Sequence, residues 1–229
     1  MHIPDGFING TISIGGFAAT SVICGIAIAK ANKEMDEKDI PLLGICASFI
    51  FASQLFNFPV AIGISGHFLG ALLTALLLGP LNAVLVMAVV LTIQALLFAD
   101  GGVTTLGVNI FNLGIVGGAI AYALFRLISI LLPKTQTGFY IATSLASWFS
   151  IVAGASLCAI ELSYSGVLPF NFALTSITGI HAIIGIAEAV ITTTLVSTII
   201  TTRPDLVRAW RVHYNSGFTE LKEKEAEAQ

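Results

Sequence analysis

The first two residues of this chain carry most of its coordination chemistry. Met1 offers a free α-amine, and His2 offers an amide nitrogen and an imidazole. The amine, the amide nitrogen and Nδ1 of His2 can close two small fused chelate rings lying in one plane around a metal ion. Planar nitrogen donors suit Ni(II) or Cu(II), whereas zinc favours a tetrahedral set. One equatorial position stays open. Pro4, with its fixed φ, and Gly6, with its permissive backbone, turn the chain just beyond the chelate. Because His2 is bulky, the initiator methionine is expected to be retained.

The fourth ligand should be a neutral imidazole, and the chain has four histidines. His213 belongs to a polar C-terminal segment, on the wrong side of the membrane in the expected topology. His181 lies about seven residues into an apolar segment, roughly 10 Å deep at 1.5 Å per residue. His67, in SGHFLG, meets the requirement. Other polar residues could support the site. Asp5 is expected to hydrogen-bond the second nitrogen of a ligand or to cap the following helix. Asp100, in ADGG, forms a turn or draws cations inward. His181 and Glu188 are seven apart and share a helix face, which makes them a hydrogen-bonded structural pair with a possible supporting role at the site. Asn57, Gln94, Asn109 and Asn112 can cross-link helices around the metal. Cys24, Cys46 and Cys158 lie in apolar stretches without C-x-x-C spacing and read as buried thiols. Neither H-E-x-x-H nor a paired-carboxylate motif occurs, which argues against an intramembrane metalloenzyme.

These residues must be positioned by elements of a membrane protein. The chain is 56% hydrophobic and only 10% charged, with a mean hydropathy of +0.93. Soluble domains carry roughly 25% charged residues, so the class is an all-α, multi-pass integral membrane protein. The net charge of −3 gives no sign of a nucleic-acid partner. No Lys or Arg precedes the first apolar run, so MHIPDG is not the basic start of a secretory signal. A spanning helix needs about 20 apolar residues, and turn-rich interruptions divide the sequence into spans 8–29, 40–60, 66–79, 81–99, 108–132, 138–161 and 174–202. Gly79-Pro80 argues for a break between the third and fourth. With seven spans, all ten Lys and Arg residues fall on one side. The positive-inside rule makes that side cytoplasmic, so the N-terminus is expected outside and the C-terminus inside. Residues 1–202 form a single transmembrane metal-binding domain, and 203–229 form a charged cytoplasmic tail.

Four segments resemble a known family: MHIPDG at the start, FNFPVAIGISGHFLG at 56–70, QALLFADGGVTTLGVNIFN at 94–112 and HAIIGIAEAVIT at 181–192. They look like the CbiM/NikM family, the substrate-binding membrane subunits of energy-coupling factor (ECF) transporters for cobalt and nickel. The likeness runs across nearly the whole chain. It implies an ECF S-component-like bundle of about seven helices with the extracellular N-terminus tucked inside, in a prokaryotic cell membrane. It carries the metal site onto the Met1 amine, the His2 amide and imidazole nitrogens and the His67 imidazole. The family often reads GTSGH where this chain has GISGH, so a hydroxyl is missing at Ile64. The implied partners are a transmembrane coupling subunit, cytoplasmic ATPase subunits and a small accessory membrane subunit. ATP hydrolysis belongs to those ATPases, since nothing here resembles a Walker A loop. No cofactor is implied beyond the transported Ni(II) or Co(II). Gly25, Ala27, Ala29 and Ala31 near the inner end of span one could admit the coupling subunit or serve internal packing. A stand-alone secondary carrier using Asp100, His181 and Glu188 as an ion path is the alternative. At reference pKa values of about 7.7–8.0 for the amine and about 6.5 for histidine, metal affinity is expected to weaken steeply below neutral pH.

Overall fold

The computed structural model describes residues 1–35, 39–61 and 64–212. It is all-α apart from one short hairpin. Five helices are long and apolar enough to cross a membrane: Gly10–Glu34, Pro80–Phe98, Leu106–Leu131, Gln136–Tyr164 and Phe170–Thr202. Two more lie between the first and second of these, Ile40–Leu55 with 16 residues and Ala71–Leu78 with 8. In chain order they are α1 (Gly10–Glu34), α2 (Ile40–Leu55), α3 (Ala71–Leu78), α4 (Pro80–Leu97), α5 (Leu106–Leu131), α6 (Gln136–Tyr164) and α7 (Phe170–Thr202). The seven predicted segments therefore all contain helix, but two are shorter than their apolar runs.

The shortening has local causes. After Leu55, the sequence Asn57-Phe58-Pro59 leaves helix, because proline disfavours the α region in the residue before it. The chain then forms strand β1 (Phe58–Ala61), paired antiparallel with β2 (Ile64–Gly66) in the register Phe58↔Gly66 and Pro59↔Ser65. The expected second span, which ran to residue 60, thus gives up its last turns to a hairpin. α3 is bounded by Gly70 (φ 71°) and Gly79 (φ 93°), both in the left-handed range that favours glycine. Every residue of α3 is buried. At 1.5 Å per residue it is about 12 Å long, roughly half a hydrocarbon core, and Gly79-Pro80 breaks it from α4 as the sequence suggests.

Two other starts are set by side chains. Asn9 Oδ1 accepts from the Ile12 N–H at 2.9 Å and caps α1, and Thr135 Oγ1 accepts from the Gly138 N–H at 3.1 Å and caps α6. α6 packs on α7 and α5 through small residues such as Ala142, Ala146, Ser150, Gly154 and Cys158, all buried. The Ser150 hydroxyl donates to the Gly117 carbonyl at 2.5 Å and ties α6 to α5. Large apolar side chains face outward instead, among them Ile14, Val22, Leu97 and Ile130, each more than 60% exposed. Outward apolar faces on an inward small-residue core are the packing of a membrane bundle.

The two ends of the bundle differ. One gathers the N-terminal segment, the hairpin and the loop 99–105. The other gathers Lys30, Arg126, Arg208 and Arg211 around the α3–α4 junction. After α7 the chain turns under α3, and Val207, Ala209 and Trp210 are buried there. The expected tail thus begins with a docked segment, and its residues from 213 onward lie outside the described residues.

Candidate metal centre

The N-terminus is folded into the bundle. Met1 is 1% exposed, His2 3% and Ile3 0%. Ile3 acts as the anchor. Its N–H donates to Asn109 Oδ1 at 2.9 Å, and its carbonyl accepts from Asn109 Nδ2 at 3.1 Å, the Thr105 hydroxyl at 2.5 Å and the Gly102 N–H at 2.9 Å. Asn109 therefore reads both faces of one peptide residue, as a neighbouring strand would. Gly102 is required here, because a Cβ on it would fall 2.4 Å from the Asp5 backbone nitrogen.

This anchor holds the Met1 amine against the hairpin. The amine donates to the Ser65 carbonyl and lies 3.1 Å from Nε2 of His67. His67 is 1% exposed, and its Nδ1 donates to the Phe68 carbonyl at 2.8 Å. That bond fixes the tautomer and leaves the Nε2 lone pair facing the amine. Two nitrogens at adjacent corners of a square plane, each about 2.0–2.1 Å from a metal, are about 2.9 Å apart. The observed separation fits an ion bound to both. The His2 ring stacks on His67 with centroids 4.6 Å apart and planes 14° apart.

Burial sets the protonation. The Met1 amine is lowered from 8.0 to about 5, chiefly because burial disfavours its charged form. His2 is lowered for the same leading reason, against the opposing effect of Asp100. His67, in the loop before α3, lies well below the ordinary histidine value, through burial first and then through charge on the amine, His2 and His181. All three groups are thus neutral at neutral pH, with the His2 lone pair on Nε2 while its Nδ1 donates to Asp100. The competition expected from reference values moves down to about pH 5 for the amine.

The polar residues singled out from sequence fall into three groups. Asp100 is beside the N-terminal donors, since its Oδ1 accepts from His2 Nδ1 at 3.0 Å, while the buried His2 Nε2 meets no acceptor or donor in good geometry among the described residues. Asn57 lies beside it, lining with His2, Ser65 and Asp100 an open cavity of about 260 Å³ that leads to the metal centre. Gln94, Glu188 and His181 act one layer out. Gln94 Nε2 donates to Gln54 Oε1 at 3.1 Å, and Gln54 Nε2 donates to the Leu69 carbonyl at 3.0 Å. Glu188 accepts from the N–H groups of Leu69 at 2.7 Å and Gly70 at 2.9 Å. The expected Glu188–His181 pair does not form, because Glu188 is spent on the start of α3 and His181 Nδ1 bonds the Ile177 carbonyl at 2.7 Å within its own helix. Asp5 neither meets a ligand nor caps α1. It accepts from the Thr104 N–H at 2.7 Å, the Thr104 hydroxyl at 2.5 Å and the Val103 N–H at 3.2 Å, which holds its carboxyl below the usual range.

Sequence reading passed over three residues. Gln54 looks like one polar residue in an apolar helix, and its partners come from distant segments. Thr105 resembles any loop threonine. Glu161, whose carboxylate accepts from Asn112 Nδ2 at 2.6 Å, is an acid within an apolar run and could have been flagged on that ground alone. Among the described residues, no three His, Cys, Asp or Glu side chains converge as a metal cluster. The reason is chemical: the Met1 amine and the His2 amide, two of the nitrogens expected to bind, belong to the backbone.

Comparison with known proteins identifies the family. Residues 2–206 match the family described as CbiM, cobalt uptake substrate-specific transmembrane region. A Haloquadratum walsbyi protein named for metal transport is 37% identical over 209 residues, which cover 90% of this chain and 93% of the relative. The fused nickel transport protein NikMN of Rhodobacter capsulatus is 31% identical over 221 residues, covering 90% of this chain and 64% of that protein. A crystal structure of a truncated transition metal transporter superposes with a TM-score of 0.81 at 32% identity, covering 88% of this chain and 99% of that one.

Proposed function

Because the chain belongs to the CbiM family of cobalt-uptake membrane proteins, we propose that it captures Ni(II) or Co(II) at its buried N-terminus and passes the ion inward as the substrate-specific subunit of an ECF transporter. The observation that carries this reading is the Met1 amine held 3.1 Å from His67 Nε2 in a shielded site. The donors are the amine, the deprotonated His2 amide, His2 Nδ1 and His67 Nε2, four nitrogens suited to Ni(II) or Co(II). In this reading all seven helices cross or enter the bilayer, with α3 as a half-span. The metal end faces outward and the basic end faces the cytoplasm. Gly25 and Ala29 are exposed on α1, leaving a close-approach face for the coupling subunit, which recruits the ATPases. In this reading a small accessory membrane subunit completes the transporter.

Asp100 acts as a latch. It occupies His2 Nδ1, the nitrogen the chelate requires, so the arriving ion displaces a hydrogen bond to the carboxylate. The released carboxylate then balances charge. A divalent ion with one ionised amide leaves a single positive charge, and Asp100 cancels it. Asp100→Asn is therefore expected to weaken metal binding by about 10–100-fold, measured as Kd by titration calorimetry.

Proton release tests the donor set. With the amine near 5 and both histidines lowered, the amine and both imidazoles are already neutral at neutral pH, and His2 frees Nδ1 by moving its proton to Nε2. Only the amide proton must leave, so affinity should rise about tenfold per pH unit between pH 6 and 8. Below about pH 5 the amine protonates and the slope should steepen. A flat profile from pH 6 to 8 would remove the amide from the ligand set. The central experiment is metal analysis and absorption spectroscopy of the purified, untagged protein. His67→Ala should lose at least about a hundredfold in affinity, more than an outer hydrogen-bond partner is worth.

A further inference from the structure

At the end of the bundle opposite the metal centre, two adjoining cavities open around the α3–α4 junction. The smaller, about 230 Å³, is lined by Lys30, Arg126, Arg208, Tyr122 and Asn82, with Glu34 as its acid. The larger, about 350 Å³, shares Glu34, Asn82 and Arg208 and adds Arg211 together with Asp39 and Asp205, so the excess of positive charge belongs to the smaller cavity alone. Three cations and one carboxylate give the smaller cavity an excess of two positive charges. These side chains come from α1, α5 and the segment after α7, so the fold gathers them from distant parts of the sequence.

Arg208 is central to both cavities. Its guanidinium lies over Gly79, where an added Cβ would fall 3.4–3.6 Å from Cδ, Nη1 and Cζ. Glycine at that position lets the planar group lie against the chain. Nη1 is 3.5 Å from the Leu78 carbonyl and Nη2 is 3.5 Å from Glu34 Oε2. Both distances are at the outer limit of hydrogen bonding. Lys30 Nζ is 3.7 Å from the other Glu34 oxygen. One half-exposed carboxylate therefore serves two cations at long range, and Arg126 forms no ion pair among the described residues. Guanidinium groups that retain donor capacity in a shared cavity are suited to bidentate recognition of phosphate. The site also lies near the ends of α1, α4 and α5, where a bundle that spans a bilayer meets the headgroup layer.

We propose that this cavity binds a phosphate group, held by Arg208, Arg126 and Lys30, supplied by an anionic phospholipid headgroup or by a free phosphate-bearing solute. The two sources share one recognition chemistry and differ in their delivery. The inference is independent of the metal site, so either can fail alone.

The test uses the full chain in detergent micelles and native mass spectrometry. Phosphatidylglycerol should be retained over phosphatidylcholine, and Arg126→Gln with Arg208→Gln should cut that preference by about fivefold for each cation removed. Unchanged nickel binding by the double variant shows that it is folded. Glu34→Gln removes the competing carboxylate and should increase retention, which keeps the test open if the double variant fails to fold. Stabilisation by ~10 mM inorganic phosphate without a phosphatidylglycerol preference would assign the site to a free solute. Equal retention of both lipids with no response to phosphate overturns the proposal, as does a wild-type preference in the double variant.

Discussion

Adding one glycine ahead of Met1, or acetylating the amine, is expected to abolish tight metal binding while leaving the bundle folded. The loss should exceed about a thousandfold in Kd, since a ligand is removed and not merely one of the outer partners worth about 10–100-fold. Two effects combine. An acylated nitrogen no longer offers an amine lone pair, and the added residue has no space. Met1 is 1% exposed, its amine already meets the Ser65 carbonyl and His67, and Ile3 is fixed from both sides by Asn109. The extra residue must therefore pull residues 1–3 out of their seat or push the hairpin away. Equilibrium dialysis with nickel, comparing the extended chain with one carrying the same glycine at its C-terminus, measures the effect. An N-terminally extended protein that binds within tenfold of the native chain would exclude the amine as a ligand. The reading then fails at its first atom.

The proposed donors can be named from the sequence because their chemistry is local. Met1 and His2 are adjacent, so a chelate can be drawn from covalent geometry alone, and His67 follows by weighing four histidines. What surrounds them was not legible. Asp100 reaches His2 across 98 positions, and Asn109 reaches Ile3 across 106. No helical period or turn signal encodes such separations. Glu188 shows the limit from the other side. Its sevenfold spacing from His181 did place both on one helix, but a shared face does not choose partners. Two backbone N–H groups at the start of a buried helix were the stronger claim on a carboxylate. The helices were easier. Gly79-Pro80 broke the apolar run where expected, whereas the hairpin after Leu55 was hidden within apolar residues that suit strand as well as helix.

Charge placement links the metal centre to the helix behind it. His67 precedes Gly70 by three residues, and α3 begins immediately after. The positive end of that helix dipole is buried, and its first N–H groups need acceptors. Glu188 supplies both oxygens to Leu69 and Gly70, while Gln54 holds the Leu69 carbonyl. The loop that carries His67 is thus fixed from α7 and α2 together.

Glu188→Ala should therefore damage stability and metal binding at once. It leaves two buried backbone donors without acceptors, at about 1–3 kcal/mol each. Removing a buried charge gives some of this back in an apolar setting, but here the carboxylate faces a helix N-terminus that favours it. The net effect should be a fall of roughly 5–20 °C in Tm, since each kcal/mol shifts a chain of this size by about 2–4 °C. Nickel affinity should fall as well, because the His67 loop loses its fixed origin. Glu188→Gln separates the two roles. The amide keeps one acceptor oxygen but sets its NH2 against the other N–H, so it should fall between wild type and alanine in both measurements. If alanine melts within about 2 °C of wild type, as little as ~1 kcal/mol, and keeps native nickel affinity, the clamp does not position His67. If only the melting point falls, Glu188 supports α3 alone and the imidazole is held by its Phe68 bond and the stacked ring of His2.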